Sequence, residues 1–362
     1  MNRKPHVPDP SLALITSIAG LPPALAASVT EEEGAYISRL REGGGLPFAV
    51  SPRFASLAGA ERDDPIRRQF MPDPRESLSS PFALEDPLGE ALYRQTPRLV
   101  RQYRDRALLL AGGVCAGYCR FCFRRARMSR AAPFIDTAAG EECAWLRGHP
   151  EIREILISGG DPLTAGDGEL AALFASLRLA RPGILLRVCT RIPVTAPRRL
   201  GPETIAFLAR WKPLRLAVHI NHPRELEGRS GEALAACVDS GLPVHVQTVL
   251  LRGINDRAET LALLFRECLS LGLTPYYLFQ LDLAPGTDHF RVPLKAGLSL
   301  YEELKALVSG LALPAFAVDL PGGGGKIRLH KDIIAGETAG PGGEPAYLLP
   351  GPGGKLWPYP KA

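Results

Sequence analysis

Residues 107–125, ALLLAGGVCAGYCRFCFRR, set a short apolar run directly before three cysteines spaced CxxxCxxC: Cys115, Cys119 and Cys122. The run ALLLAG (107–112) reads as a buried strand, so the cysteines fall on a tight loop after its C-terminal end. Three thiolates hold three irons of a [4Fe-4S] cube and leave the fourth iron open, whereas a cluster used only for electron transfer normally has four cysteine ligands. Zinc is the rival ligand, but a structural zinc site wants four donors in paired spacing, and no second CxxC or HxxxH follows.

Five further runs extend the pattern outward: EILISGG (154–160), ILLRVCT (184–190), RLAVHIN (215–221), VHVQTVLL (244–251) and PYYLFQLD (275–282). After a longer first interval they recur about every thirty residues, the length of a strand plus crossover helix. Helical patterns such as GELAALFASLRLA (168–180) and RAETLALLFRECLSLG (257–272) lie between them. The fold expected is α/β, a partial (β/α)6 barrel over residues 101–320. Residues 1–100 read as an N-terminal helical extension, with helices near 30–43 and 86–97, and 321–362 as a glycine-rich lysine segment with an extended Gly/Pro-rich C-terminal arm. Polar residues punctuate the strand ends, where barrel active sites assemble: Ser158 to Asp161, Arg191, His219 with Asn221, and Asp282, while Gln247 lies within the fifth strand.

Composition narrows the function classes. The 362 residues are 46% hydrophobic and 22% charged, with a net charge of +5, too small an excess to argue for nucleic acid. Arginine supplies 35 of the 43 basic residues and lysine only 8. Three of the seven cysteines crowd into the loop while Cys143, Cys189, Cys237 and Cys268 are scattered, a pattern that points away from a disulfide framework. Residues 11–28 resemble a secretory apolar region, but Asp9, the nearby prolines and the oxygen-sensitive thiolate loop favour the cytoplasm. No other stretch approaches the roughly 20 apolar residues of a membrane span.

A second feature is Asp319-Leu-Pro-Gly-Gly-Gly-Gly-Lys326. It fails as a phosphate-binding P-loop, because Leu320 stands where that motif needs glycine and Ile327 where it needs Ser or Thr. FAVDL before it and IRL after it indicate a shaped loop rather than a linker. A lysine in Schiff-base linkage to pyridoxal phosphate (PLP) must approach the cofactor closely, and four glycines clear the backbone around it.

With CxxxCxxC on the first loop of a partial barrel, the chain resembles the radical S-adenosylmethionine (SAM) superfamily. PGGGGK (321–326), together with DPIRRQ (64–69), CRFCFRR (119–125), ISGGDPL (157–163), HINHP (219–223), VLLRGIND (249–256), PYY (275–277) and HFR (289–291), makes it similar to the lysine 2,3-aminomutase family over about residues 45–330. The resemblance implies a [4Fe-4S] cluster on Cys115, Cys119 and Cys122, and SAM met by Ser158, Gly159, Gly160 and Asp161 and lined by His219 and Gln247. It implies PLP on Lys326 with its phosphate at Arg106, the substrate carboxylate on Arg124, and a substrate ε-ammonium on Asp282 and Asp319. The reaction implied is conversion of L-lysine to β-lysine through a 5′-deoxyadenosyl radical, fed by an electron donor such as flavodoxin or ferredoxin. Formation of β-lysine for a translation elongation factor, or 2,3-amino migration on another amino acid, stays open here. A homo-oligomer is expected, but no cysteine follows Cys268, so the zinc-bridged assembly of the best-known relatives is not.

Overall fold

The structure is a computed structural model that describes residues 12–43, 45–127 and 139–361. One ten-stranded sheet runs in chain order: β1 (Arg94–Thr96), β2 (Leu99–Val100), β3 (Arg106–Gly112), β4 (Glu154–Gly159), β5 (Leu185–Thr190), β6 (Leu214–His219), β7 (Val244–Leu250), β8 (Thr274–Gln280), β9 (Ala315–Leu320) and β10 (Gly325–Arg328). Strands β3 to β9 are parallel, and β1, β2 and β10 extend the two edges antiparallel. Helices Gly140–Arg147, Asp167–Ala180, Pro202–Ala209, Arg229–Asp239, Ala258–Ser270 and Leu294–Leu307 fill the six crossovers. The six apolar runs are β3 to β8, and FAVDL adds a seventh parallel strand, β9.

Burial alternates along each strand as a two-residue period requires. On β3, Ala107, Leu109 and Ala111 are buried under the helices, while Arg106, Leu108, Leu110 and Gly112 on the other face are only half-buried. Strands β5 and β7 repeat the pattern. A closed eight-stranded barrel fills its interior with layers of side chains; here the inner face stays partly open.

The sheet curls until its edges nearly meet. Tyr93 Oη donates to the Gly323 carbonyl at 2.7 Å, Gln102 Nε2 to the same carbonyl at 3.3 Å, and the Lys326 backbone N–H to Tyr103 Oη at 3.1 Å. This seam corrects the expected helix near 86–97. Asp86 accepts from the N–H groups of Glu90 and Ala91 at 3.0 and 2.8 Å, Gly89 takes a left-handed φ of 62°, and only the 3-10 turn Glu90–Tyr93 forms before β1 begins. A Cβ on Gly89 would lie 2.7 Å from Gly323 N, so this bend is where the two edges touch.

The C-terminal arm is extended, as expected, and folds into a second antiparallel sheet: β11 (Gly336–Ala339), β12 (Pro345–Pro350) and β13 (Leu356–Pro360). Its turns at Pro341–Gly343 and Pro352–Gly354 repeat the Pro-Gly-Gly turn that joins β9 to β10 at Pro321–Gly323. In all three the two glycines have φ between 65° and 89°, a region open to glycine at little cost. The glycines before Lys326 therefore first make a hairpin.

In the N-terminal extension the helix Glu31–Arg41 begins with a capping box between Thr30 and Glu33. The Glu33 carboxylate also receives both terminal nitrogens of Arg67, at 2.9 and 2.8 Å, with each side chain 2% exposed. Removing one partner of such a pair leaves a buried charge uncompensated. Arg67→Met is expected to destabilise the protein by about 3–5 kcal/mol, read from urea unfolding midpoints against the parent.

Candidate active site

The cysteine loop is held from outside the barrel. Arg120, between Cys119 and Phe121, is fully buried and donates to Glu76 through Nε at 2.8 Å and Nη2 at 2.5 Å, and to the Leu46 and Pro47 carbonyls at 3.0 Å each. Arg125 adds a 2.6 Å bond to Glu76 and a 2.9 Å bond to the Gly286 carbonyl. Burial alone would raise the Glu76 carboxyl, but the two guanidinium groups hold it below the ordinary range. With its arginines anchored in the N-terminal extension, the loop leaves Cys115, Cys119 and Cys122 partly exposed.

Burial raises the Cys115 thiol, with Asp161, Cys122 and Cys119 adding to the effect, and pushes Cys122 up to about 11, helped by Cys119. Thiols crowded in this way ionise readily only when bound cations take up the charge. Three soft donors on one loop fit an iron-sulfur cluster. Of the scattered cysteines, Cys143, Cys237 and Cys268 are packed into the hydrophobic core, and Cys189 lies on the inner face of β5.

The glycine motif after β4 packs against the cysteine loop. Gly160 N–H donates to the Gly112 carbonyl at 2.6 Å and Asp161 N–H to the Val114 carbonyl at 2.8 Å, and a Cβ on Gly160 would lie 2.2 Å from Val114 O. The small residues let this turn press against the start of the cysteine loop. The Asp161 carboxylate is occupied by Thr190 Oγ1 and by the N–H groups of Leu163, Arg191 and Ile192, at 2.6 to 3.1 Å. It clamps the end of β4 to the end of β5, and burial raises its carboxyl despite these donors. Ser158 alone of the four turns a side chain toward the interior, 3.4 Å from Arg124 Nη1.

Further round, His219 and Gln247 are paired neighbours on the inner faces of β6 and β7. Burial and the nearby Arg191 lower the His219 ring to about 3, so it is neutral, with Nε2 3.0 Å from Asn221 Oδ1.

The other half of the interior is polar and charged. Lys326 on β10 stands opposite Asp319 on β9, and its ammonium pairs with Asp319 Oδ2. Nζ also lies 4.1 Å from the centre of the Phe279 ring. Asp282 follows β8; burial and then Asp319 push its carboxyl up to about 8, while Lys326 and Arg124 pull the other way. Arg124 donates through Nε and Nη2 to Glu90 Oε1, at 3.1 and 2.6 Å. Arg106 sits at the N-terminal end of β3, paired with Asp105 at 3.0 Å and stacked 4.0 Å over the ring of Tyr103, whose hydroxyl meets Lys326. Asp282, Asp319, Lys326 and Arg124 thus share one neighbourhood, with Arg106 linked to it through Tyr103. Glu90, Tyr103 and Phe279 also belong to the site but escaped the sequence reading. Glu90 is in a segment read as helix, and an isolated acidic or aromatic residue carries no spacing signal.

Residues 109–264 match the family model of the radical SAM superfamily. A protein of Treponema pallidum (strain Nichols) provisionally named L-lysine 2,3-aminomutase is 48% identical over 284 residues, covering 77% of this chain and 80% of that protein. The L-lysine 2,3-aminomutase of Clostridium subterminale is 35% identical over 295 residues, 81% of this chain and 71% of that relative. The chain belongs to the lysine 2,3-aminomutase family. Its radical SAM domain brings with it a [4Fe-4S] cluster, SAM and a small-molecule substrate. The glutamate 2,3-aminomutase of Clostridioides difficile (strain 630) is 34% identical over 304 residues, 83% of this chain and 71% of the relative. No helix among the described residues is long and apolar enough to cross a membrane.

For a member of this family the raised Asp282 carboxyl has a thermodynamic consequence. A carboxyl whose pKa is about 8 in the folded state and about 3.9 unfolded binds more proton when folded, so its contribution to stability falls as pH rises across that window. Asp282→Asn removes this loss. The variant is expected to match the parent's thermal midpoint near pH 4 and to exceed it at pH 8.5, measured as the difference between the two proteins at each pH.

Proposed function

We propose that this chain is a PLP-dependent radical SAM aminomutase that moves the amino group of L-lysine from C2 to C3. The observation that carries the reading is the meeting of Lys326, Asp319, Asp282 and Arg124 in one interior. Cys115, Cys119 and Cys122 would hold the cluster, Lys326 and Arg106 the ring and phosphate of PLP, and Ser158, His219 and Gln247 the SAM side. Gly159, Gly160 and Asp161 would support that side from below. When bound, the cluster and SAM supply the hydrogen-abstracting radical, and PLP supplies the electron-accepting ring that lets the nitrogen move.

The chain's own residues then explain the substrate. Glu90 binds the Nε edge of Arg124 and Ser158 meets Nη1, which leaves one N–H on each terminal nitrogen for a carboxylate, the anion a guanidinium grips in pairs. At the far end, the Lys326 ammonium neutralises Asp319 until Lys326 is committed to the cofactor. Asp319 then lacks a cation beside a second carboxyl, Asp282, that burial keeps protonated. An incoming primary ammonium satisfies both and lets Asp282 ionise, whereas a glutamate tail would bring a third carboxylate into the same space. We place the activity in the cytoplasm, with an external flavodoxin or ferredoxin as donor, in a homo-oligomer.

Anaerobic reconstitution with SAM, PLP and a panel of amino acids is expected to give β-lysine well above any product from L-glutamate, L-alanine or L-ornithine. Asp282→Asn and Asp319→Asn are each expected to raise KM for lysine by about a hundredfold or more, the scale of losing one member of a buried charge set, with PLP absorbance retained. Preferred turnover of glutamate would overturn the lysine assignment. Lys326→Ala should lose the Schiff-base absorbance yet still cleave SAM reductively, and borohydride labelling of another lysine would show that PLP is anchored elsewhere.

A further inference from the structure

Arg191 follows β5 and has no part in the substrate chemistry above, yet it reaches the cysteine loop. Its Nη1 donates to Cys119 Sγ at 2.8 Å, and its Nη2 to Gln69 Oε1 at 2.5 Å and Glu225 Oε2 at 3.1 Å. The residue is 8% exposed, and Glu225 and Gln69 are both 0% exposed. Its guanidinium lies 4.7 Å from the centre of the Phe54 ring and 5.5 Å from that of Phe121. The second layer is equally fixed. Gln69 Nε2 donates to Glu225 Oε1 at 2.8 Å, and Asn221 donates to Gln69 Oε1 through Nδ2 at 3.1 Å and to Glu225 Oε1 through its backbone N–H at 3.2 Å. The backbone N–H of Arg191 is held by Asp161. Both terminal nitrogens of the side chain are therefore oriented, and one of them ends on a sulfur.

We infer that Arg191 sets the reduction potential of the cluster through Cys119, with Glu225 as the opposing charge. The inference rests on Cys119 being a cluster ligand. Taking one electron makes a cluster with its thiolates more negative, so a positive charge and an N–H donor at a ligand sulfur stabilise the reduced form more than the oxidised one and raise the potential. The buried Glu225 carboxylate does the reverse by neutralising part of the guanidinium charge. Low dielectric around both groups keeps these effects from being screened. Among the described contacts neither Cys115 nor Cys122 receives a guanidinium N–H; Cys122 meets Arg124 through that residue's backbone N–H, so the Arg191 effect enters through Cys119. Arg191 is a positioning and tuning residue that need not touch substrate.

The test is an EPR-monitored redox titration of the reconstituted full chain, with iron counted first. Four irons per chain in the parent and their loss in Cys119→Ala test the ligand assignment; the potentials of Arg191 and Glu225 variants test the inference. Glu225→Gln is expected to raise the midpoint and Arg191→Met to lower it, each by about a tenfold change in the one-electron equilibrium, or roughly 59 mV. Arg191→Lys, which keeps the charge on a shorter reach, should fall between Arg191→Met and the parent. A purely structural role predicts no such opposition of sign. Unchanged midpoints, or shifts of the same sign in Glu225→Gln and Arg191→Met, overturn the inference. If Arg191→Met fails to load iron, Glu225→Gln decides alone, a rise supporting the inference and a fall or no change overturning it.

Discussion

The carbonyl of Gly323 accepts from both Tyr93 and Gln102, two residues from the opposite edge of the sheet. Without that seam the ten strands would form an open sheet whose first and last members lie far apart, and Lys326 would have no neighbour on the β3 side. With it, the curl brings the glycine hairpin across to Tyr103 and turns an open sheet into a partial barrel. The constraint is local and backbone-based. Gly89 fits against Gly322 and Gly323 only because it has no side chain, and the left-handed glycines of the hairpin present the carbonyl in the right direction. The glycine run thus serves the fold before it serves any cofactor.

The second dependence is electrostatic. Arg120 and Glu76 are both fully buried as side chains, where an isolated charge would cost several kcal/mol after relaxation. The pair is tolerable because the geometry is bidentate and the remaining donors of Arg120 are met by two carbonyls, while Arg125 shares the carboxylate. A hydrophobic plug would pack as well, so stability alone does not account for the ions. What the network adds is direction: it fixes the backbone between Cys119 and Cys122 from behind. The same logic explains why the N-terminal extension is tied by Arg67 and Glu33, since it carries Glu76, Leu46 and Pro47 on its inner surface.

How far the sequence could be read follows from these physical scales. Strands β3 to β8 were legible because each is a run of buried aliphatic residues at the spacing of a strand plus crossover helix, a signal that sums over many residues. The cysteine loop and Lys326 were legible because their spacing is chemically unusual. The segment around 86–97 misled because its composition suits a helix, and only contact with Gly322 and Gly323, more than two hundred residues away, bends it at Gly89. The packing of the SGGD turn was not legible: Gly160 lies against Val114, and Asp161 serves three backbone donors and the Thr190 hydroxyl. Glu90 and Tyr103 were invisible for a plainer reason: a single residue becomes functional through a tertiary neighbour, and local sequence does not record neighbours.

The interior is divided in a way that suits two kinds of chemistry. On the cysteine side the groups nearest the thiols are held by fixed hydrogen bonds: Asp161 by four donors, Arg191 through its two terminal nitrogens to three acceptors, and neutral His219 by Asn221. These groups are preorganised and have little freedom to change charge. On the lysine side Asp319 is ion-paired with Lys326, and beside them burial and the Asp319 charge push the Asp282 carboxyl up to about 8, so that an added cation favours its ionisation. Arg124 joins the halves, with one arm toward Ser158 and the other on Glu90. A reactive radical is best generated where nothing nearby can move, and a cationic substrate is best selected where protons and charges still can. In the proposed reading the first demand falls on the cysteine side and the second on β8 to β10, and the seam at Gly323 joins the two edges of the one sheet that carries both.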